Sequence, residues 1–505
     1  MTSTLSIAIV LSYFLLLIGI SWFTSRNSTS ESFLTGDKSS PWYLVAFGMI
    51  GASLSGVTFI SIPGSVASNG MTYMAVVIGY FIGYLIIAKV LLPLYYKLNL
   101  TTIYSYLKTR FGNSSYKTGS IFFIISRIIG ASFRLYLVAE VLDVFIFQNI
   151  DGLEYWHGIV IIVGLIWVYT FKGGIKTIIW TDTLQTASML IAVGVTIYFI
   201  RQKLGVDWNG LYDTFDKSSY SEIVHWKNNG WGKFTLGVIN GIFISVVMTG
   251  LDQDMMQKNL TCKNVKDAQK NMFWFSVVLV PINFLFLGLG ILLYEFAIDQ
   301  DFLFTTIGEG GKTIIHLSNA TGNDFQVIKM DRLFPMLASG KFFPPSLGIV
   351  FLIGLIAAAY SSADSALTSL TTSFCVDILE DEKNITKRRI THVGVSVVLI
   401  LVVLLFKEID NDSVITELFT WAGYTYGPLL GLFAFGLMTK FDVKDKWVPI
   451  VAVIAPVLSV LLRENSPELF NGYKIGFEIL PINGTLTFIG LLLLRSKASN
   501  KTELG

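Results

Sequence analysis

The sequence contains few charged residues for its length. They make up 14% of the 505 residues, whereas apolar residues make up 53%, and the formal net charge is only +2. Such a composition excludes an ordinary soluble domain and predicts a polytopic protein embedded in a lipid bilayer. The near-neutral charge and the lack of a basic stretch also exclude a nucleic-acid partner.

Cysteine and histidine are scarce as well. The two cysteines, Cys262 and Cys375, lie far apart, and the four histidines lie at or outside the ends of apolar runs. Neither a disulfide framework nor a buried metal centre is indicated. Because no metal cluster or serine–histidine pair lies at membrane depth, we predict no catalytic residue and do not expect a membrane-embedded enzyme.

Apolar runs of the length needed to cross a bilayer recur along the chain. We count thirteen, at residues 5–24, 43–67, 72–98, 119–148, 157–171, 175–201, 232–256, 271–297, 345–379, 392–406, 413–439, 447–462 and 477–494. The predicted fold class is therefore an all-α polytopic membrane protein with about 13 transmembrane helices. No basic segment precedes the first run, so we expect a retained helix rather than a signal peptide.

Basic residues cluster on alternate loops between these spans. They are Lys97, Lys108, Arg110 and Lys117 after the third span, Lys383, Lys387, Arg388 and Arg389 after the ninth, and Lys440, Lys444 and Lys446 after the eleventh. The positive-inside rule then places the N-terminus outside and the tail, 495–505, in the cytoplasm of a plasma membrane, which we expect to be a bacterial inner membrane. The hydrophilic segments 202–231 and 298–344 fall on the outer side, where we expect partly ordered caps.

The second span is interrupted by small residues. Gly51, Ser53, Ser55 and Gly56 weaken the helix at mid-span, so that carbonyl groups near Gly51 and Leu54 can leave the helical hydrogen-bond pattern. Free carbonyls are suitable ligands for an alkali cation. Close packing of helices through small residues is the alternative.

The ninth span presents hydroxyl groups on one helical face. Ala358, Ser361, Ser362 and Ser365 recur at helical spacing, with Asp364 beside them. Serine hydroxyls can bond back to their own helix, but an unpaired carboxylate at this depth is expected to face a cavity, a cation or a basic partner. Together with the interrupted second span, this face predicts a sodium site.

Two further charged positions lie within apolar runs. Asp182 opens the sixth span, where it could cap the helix or face a cation. Arg127 and Arg134 lie seven residues apart on one face of the fourth span, and Arg134 lies on the order of 20 Å into the membrane. Arg134 could neutralise a carboxylate of the substrate or pair with a structural acid.

Four motifs in this order resemble those of the sodium:solute symporter family. They are the run 168–175 with the glycine pair Gly173-Gly174, the run 179–185 with Trp180-Thr181-Asp182, the run 250–258 with Asp252-Gln253, and the serine run 361–365. The resemblance covers nearly the whole chain. It implies a transporter of a small solute coupled to sodium.

The resemblance also implies the inverted-repeat fold of the bacterial leucine transporter. The two five-helix repeats would span 43–201 and 232–439, after an extra N-terminal helix in 1–30 and before two C-terminal helices in 447–494. The first helix of each repeat is broken in this fold. The segment 237–241, with Gly237 and Gly241, is the predicted interruption in the second repeat.

Carried over by position, the resemblance implies two sodium sites. The first would use the carbonyl groups of Gly51, Leu54 and Ala358 and the hydroxyl groups of Ser361 and Ser362. The second would use Asp182, Ser361, Ser365 and Asp364. The expected cofactor is therefore one or two Na⁺ ions. Asp364 could also bind a proton, which leaves a proton-coupled mechanism as an alternative.

The resemblance places a set of residues around the transported solute. They are Ser53, Ser55, Thr58, Val77, Arg134, Ser245, Met248 and Thr420. Val77 stands where relatives that bind sugars or sialic acid have glutamate or glutamine, and Met248 stands in place of a gating tyrosine. The pocket is therefore expected to be less polar than a hexose site.

The predicted function is sodium-coupled import of a small polar organic solute, such as a sugar or a sugar acid like sialic acid, by alternating access. An amino-acid or carboxylate symporter is the alternative within this class, and a transporter-fold membrane sensor without transport is the alternative from another class. The short tail weighs against the sensor. The expected partners are the solute, sodium ions and the lipid bilayer, and the protein is expected to act as a monomer.

Overall fold

The computed structural model describes residues 3–26, 30–150, 152–224, 230–301, 303–307, 313–318, 325–328, 330–338, 342–408 and 414–496. The first part of this chain forms helices α1 (Ser3–Thr24), α2 (Ser30–Thr35), α3 (Trp42–Ser53), α4 (Gly56–Asn69), α5 (Tyr73–Ile86), α6 (Leu92–Lys97), α7 (Ser105–Arg110), α8 (Asn113–Phe145), α9 (Tyr155–Leu204) and α10 (Trp208–Lys217). The second part forms α11 (Gly230–Ser245), α12 (Gln253–Leu260), α13 (Val265–Asp299), α14 (Leu333–Ala338), α15 (Pro345–Ser373), α16 (Ile385–Lys407), α17 (Val414–Met438), α18 (Val448–Glu464), α19 (Ser466–Leu469) and α20 (Ile479–Leu493).

Many of these helices are long and apolar enough to cross a bilayer. Within the described ranges, nine helices meet that condition, and the pair α3–α4 forms a tenth span that is bent by 55°. Two shorter apolar helices, Tyr155–Phe171 and Ile479–Leu493, lie in two further predicted spans. Leu15 and Ile191 are 65% and 60% exposed, as expected for side chains that face lipid. The chain is thus a multi-span membrane protein, and the count of about thirteen spans stays a prediction.

The predicted interruption of the second span is present between α3 and α4. The last helical bond of α3 runs from the N–H of Leu54 to the carbonyl of Ile50, at 2.8 Å. Leu54 then leaves the helical conformation at φ −83° and ψ 72°. In this part of the chain, no backbone N–H donates to the carbonyl of Gly51 or of Leu54. The break therefore leaves carbonyl oxygens at a buried, negatively polarised helix end.

The predicted interruption of the second repeat at 237–241 is wrong. Helix α11 continues through these residues, and its glycines instead let α5 approach closely. A Cβ atom on Gly241 would lie 2.9 Å from the Cα of Gly79. The chain breaks later, after a π-helical turn at Val246–Gly250, and α12 starts behind the capping side chain of Asp252.

Helix α9 joins the predicted fifth and sixth spans through a sharp bend at Gly174. This glycine has φ 53° and ψ −146°, a conformation that other residues rarely adopt. A Cβ atom at this position would also lie 2.5 Å from the ring of Phe33. The second glycine of the glycine-pair motif is therefore required by the backbone.

Replacing Gly174 by alanine is expected to lower the free energy of unfolding by about 1–3 kcal/mol, because the backbone would be strained and the methyl group would meet Phe33. Thermal unfolding of the purified protein in detergent measures this effect. Gly164→Ala on the same helix is the control, since its methyl group would meet no atom within 4 Å. Equal stability of the two variants would contradict the argument.

Short β-strands occur outside the spans, in addition to the predicted all-α architecture. Strands β1 (Leu303–Ile307), β2 (Thr313–Ser318) and β3 (Phe325–Ile328) form an antiparallel sheet in the hydrophilic segment 298–344. Strands β4 (Asp442–Val443) and β5 (Arg495–Ser496) form a second small pair. Hydropathy could not predict them, because these strands lie in polar segments. Residues 497–505 of the predicted tail lie outside the described residues.

His392 begins an apolar run in the sequence, but the helix that carries it starts earlier. Helix α16 begins at Ile385, so His392 lies about two turns inside it and is 2% exposed. Its Nε2 atom lies 3.1 Å from the hydroxyl of Thr170, and its Nδ1 atom lies 2.9 Å from that of Thr371. Histidine here links α9, α15 and α16. Over the described ranges, no group of three histidine, cysteine or acidic residues could hold a metal ion.

Candidate functional site

A cavity of about 80 Å³ lies beside the break between α3 and α4. Six of the predicted solute contacts line it, namely Ser53, Ser55, Thr58, Arg134, Ser245 and Met248. Val77 and Thr420 lie outside this lining. Val77 is fully buried in the core, and the hydroxyl of Thr420 is bonded to the carbonyl of Thr416 at 2.9 Å. The structure thus brings together residues from the α3–α4 break, α4, α8, α11 and the π-helical turn after α11, but not these two.

The cavity is also lined by aromatic side chains, which the sequence analysis missed. Tyr73, Tyr80 and Tyr84 of α5 are among them, and the hydroxyl groups of Tyr73 and Tyr80 lie 2.9 Å apart. Tyr73 and Tyr80 are seven residues apart, and Tyr80 and Tyr84 are four apart, so the three share one helical face. That periodicity is a signal that could have identified them. They give the cavity amphipathic walls suited to a solute with an apolar body.

The two arginines of α8 have different environments. Arg127 is buried and forms an ion pair with Asp254, and its Nη1 atom lies 3.9 Å from Asp252. Arg134 forms no ion pair with any carboxylate of the described residues, and its Nε–H has no hydrogen-bond partner there. Both line the cavity. The charge of Arg127 is therefore neutralised by the protein, whereas that of Arg134 remains available to a ligand.

Asp182 lies at the meeting point of three helices. It is fully buried about two turns beyond Gly174 in α9, so the interpretation as a helix cap is wrong. One carboxylate oxygen accepts a hydrogen bond from Ser361 of α15 at 2.7 Å. Its backbone carbonyl faces α3, 3.4 Å from the position that a Cβ atom on Gly51 would occupy. Residues from both predicted halves of the sodium site are thus in contact through Asp182.

Several oxygen atoms near this point lack a hydrogen-bond donor. The hydroxyl of Ser362 is buried and has no partner among the described residues, and the carbonyls of Gly51 and Leu54 receive no backbone hydrogen bond. Buried polar atoms without partners are costly unless they bind something. Unwound backbone carbonyls beside hydroxyl groups are a donor set that fits Na⁺.

The remaining residues of the predicted second sodium site have protein partners. Asp182 also accepts from the ammonium of Lys258, with 2.7 Å between Nζ and Oδ2. Asp364 accepts from the hydroxyl of Tyr169 at 2.7 Å and from that of Ser365 at 3.2 Å. Both new partners lie within the quoted motifs, but neither pairing could be predicted, because the paired residues lie far apart in sequence.

Comparisons with known proteins agree with this architecture. Residues 33–440 match the model of the sodium:solute symporter family. The chain is 27% identical to the sodium/sialic acid symporter NanT of Aliivibrio fischeri, over 92% of this chain and 89% of that protein. It is 26% identical to sodium-coupled monocarboxylate transporter 1 of Mus musculus, over 95% of this chain and 84% of that protein.

Solved structures show the same fold. A substrate-bound, outward-open Na⁺-coupled sialic acid symporter superposes with a TM-score of 0.76 at 17% identity, over 97% of each chain. The nucleobase-cation symporter Mhp1 superposes with a TM-score of 0.55 at 13% identity, over 92% of this chain and 93% of that one. The fold is the inverted-repeat fold of the bacterial leucine transporter.

Three observations agree. The family match spans most of the chain, the fold is one that transporters use, and an interrupted helix places backbone carbonyl oxygens inside it. The predicted family, fold and coupling ion are confirmed. The protein is a sodium-coupled transporter of a small organic solute, not an enzyme, and the chain belongs to the sodium:solute symporter family.

Proposed function

We propose that the protein imports a small solute bearing a carboxylate group together with Na⁺. The observation that carries this proposal is the guanidinium of Arg134, which lines the cavity without an acidic partner among the described residues. A partly buried arginine without a counter-charge is unfavourable, and its planar donors match a carboxylate. Ser53, Ser55 and Thr58 also line the cavity and would bind the polar part of the solute.

The names of the relatives support the same chemistry. One is named for sialic acid and another for monocarboxylates, and both kinds of solute carry a carboxylate. The sodium/glucose cotransporter of Vibrio parahaemolyticus is 27% identical over a shorter part of this chain, 75%. Glucose has no carboxylate, so an unpaired arginine in the cavity favours the acidic solutes over a neutral hexose.

The proposed sodium site uses neutral oxygen ligands at the break of the second span. They are the carbonyls of Gly51, Leu54 and Ala358 and the hydroxyls of Ser361 and Ser362. Sodium would neutralise the negative end of α3 and hold it against α15. Ser361 would keep its hydrogen bond to Asp182, and its hydroxyl oxygen would bind the ion.

We also propose an orientation and a state of assembly. We infer that the N-terminus lies outside and the C-terminus in the cytoplasm, because the basic residues lie on loops of one parity. We propose a monomer as the functional unit. Imported solute would then move from the side of the three-stranded sheet towards the basic loops.

The electrical driving force depends on the number of sodium ions. One Na⁺ moving with one monoanionic carboxylate carries no net charge, so the sodium concentration gradient alone would drive uptake. Each additional Na⁺ would contribute about 2.3 kcal/mol for every 100 mV of membrane potential. Coupling itself requires only that Na⁺ and solute favour the same outward-open conformation.

Replacing Arg134 by glutamine is expected to weaken the binding of carboxylate solutes by about tenfold or more, because charge-assisted hydrogen bonds would be lost. Sodium binding should persist, since Arg134 is not a proposed sodium ligand. Thermal stabilisation of the purified protein, with and without Na⁺, measures both. Sialic acid, lactate, lactamide and glucose form a panel in which lactate and lactamide differ only at the charged group.

The control is Arg201→Gln, because Arg201 packs against the ring of Trp208 away from the cavity. Arg134→Lys should retain part of the carboxylate affinity. If Arg134→Gln removes the response to Na⁺ as well, then Arg134 is structural. If the wild-type protein binds lactamide or glucose as tightly as lactate, then the proposed solute class is wrong.

A further inference from the structure

A lysine ammonium pairs with Asp182, one of the two carboxylates at which the family resemblance implies a second sodium ion. Lys258 lies in the last turn of α12 and its side chain is 1% exposed. Its Nζ atom lies 2.7 Å from Oδ2 of Asp182, whose side chain is fully buried. Lysine is almost never this deeply buried without a partner, so the ion pair accounts for its position. A fixed positive charge therefore contacts Asp182.

The other oxygen of Asp182 is also occupied. Oδ1 accepts from Ser361 at 2.7 Å, and the amide of Gln185, in the orientation that satisfies its hydrogen bonds, donates to Oδ1 at 3.2 Å. A sodium ion bound to this carboxylate would have to displace the ammonium or lie close to it. Two like charges at such a distance repel strongly in a buried site.

The neighbouring carboxylate, Asp364, is bonded to hydroxyl groups instead of an ammonium. Asp364 accepts from the hydroxyls of Tyr169 and Ser365, and no lysine or arginine of the described residues pairs with it. Among the buried acids here, Asp252 and Asp254 face Arg127, and Asp182 faces Lys258. The protein thus supplies its own cation, the ammonium of Lys258, at Asp182, where the second ion would bind. The neutral oxygen atoms around Ser362 remain for the transported sodium ion.

We propose that Lys258 is a tethered cation that replaces a second sodium ion at Asp182, so that the protein moves one Na⁺ per solute. This inference rests on the proposed sodium-coupled function but not on the identity of the solute. The shared hydroxyl of Ser361 connects the ammonium with the first sodium site. Lys258 therefore sets the number of sodium ions moved per solute. Through Asp182, it also positions the Ser361 hydroxyl, a proposed sodium ligand.

The test removes the ammonium and counts ions. Lys258→Met keeps the apolar stem of the side chain and frees Asp182, so the flux ratio of ²²Na⁺ to solute in proteoliposomes should rise from about one to about two. Lys258→Arg retains the charge and should keep the ratio of the wild type. Lys176→Met is the matched control, because Lys176 also pairs with an aspartate, Asp37, at 3.0 Å but away from this site.

A second measurement applies to variants that fold but do not transport. The unfolding temperature of the purified protein, measured against the logarithm of the Na⁺ concentration without solute, has a slope that depends on the number of bound ions. This slope should about double in Lys258→Met and return to the wild-type value in Lys258→Met with Asp182→Asn.

A wild-type ratio of two would overturn the inference, and so would a Lys258→Met variant that folds and keeps both the ratio and the slope of the wild type. A doubled slope that persists in the double variant would place the extra ion away from Asp182 and contradict it too. Failure of the proposed function looks different, because Na⁺ would then stabilise neither the wild type nor any variant.

Discussion

Replacing Ser362 by alanine is expected to weaken sodium binding by about ten- to a hundredfold and to reduce sodium-dependent uptake accordingly. The hydroxyl of Ser362 is buried without a partner among the described residues, so the free protein gains nothing from it. A hydroxyl that contacts a charge contributes about 1.5–3 kcal/mol, which corresponds to this change in affinity. Because the free protein loses no hydrogen bond, its stability without Na⁺ should be unchanged or slightly higher.

Sodium titration of thermal stability, followed by uptake at several Na⁺ concentrations, measures this effect. Ser369→Ala is the matched control on the same helix, because Ser369 is buried but bonded to the carbonyl of Ala366 at 3.1 Å. The apparent affinity for Na⁺ should fall in Ser362→Ala and remain unchanged in Ser369→Ala. Unchanged sodium affinity in Ser362→Ala would remove this hydroxyl from the site.

Replacing Arg127 by methionine is expected to cost about 3–5 kcal/mol of folding free energy, the usual effect of breaking a buried ion pair. Arg127 faces Asp254 and Asp252, and Asp252 also accepts a hydrogen bond from Tyr426. Without the guanidinium, two buried carboxylates would lose their counter-charge. This network ties α12 to α8 and α17, so its loss should loosen the packing of these three helices.

The double variant Arg127→Met with Asp254→Leu tests the reason for that cost. It removes one of the uncompensated charges and should recover part of the stability lost in Arg127→Met. Arg332→Met is the control, because the contact of Arg332 with Glu140, at 3.5 Å, is largely exposed. Such a pair contributes only about 0–1 kcal/mol. Equal losses in Arg127→Met and Arg332→Met would contradict the argument.

The break between α3 and α4 provides a physical route for coupling. The carbonyls of Gly51 and Leu54 are proposed to contact sodium, while the side chains of Ser53 and Ser55, on the same few residues, line the cavity. An ion that holds this segment in one conformation also holds the solute contacts in place. Sodium would then increase the affinity for the solute, and the solute would increase the affinity for sodium by the same factor.

Much of the membrane architecture could be predicted from local sequence features. The density of glycine and serine from Gly51 to Gly56 identified the first break, since it acts on the backbone directly. The same logic failed at Gly237 and Gly241, where small residues serve helix packing against Ala75 and Gly79 of α5 instead. Local composition alone cannot distinguish these two roles, because the second depends on a neighbouring helix.

The candidate site was predicted in part. The serine face of α15 and the six cavity residues follow from periodicity and from the family resemblance. Lys258 and Tyr169, the partners of the two aspartates, could not be found in this way, because the Lys258–Asp182 pair joins residues 76 positions apart and the Tyr169–Asp364 pair joins residues 195 apart. Only the packing of α9, α12 and α15 reveals that a lysine faces the carboxylate.

The most direct test of sodium-coupled carboxylate import is uptake into proteoliposomes under an imposed gradient. An inward Na⁺ gradient should drive radiolabelled carboxylate above its equilibrium level in vesicles that contain the wild-type protein. With Ser362→Ala, the same accumulation should require a Na⁺ concentration about ten- to a hundredfold higher. A pH gradient without Na⁺ should drive no accumulation. Accumulation driven by the pH gradient alone, or binding of the solute without any uptake, would contradict the account.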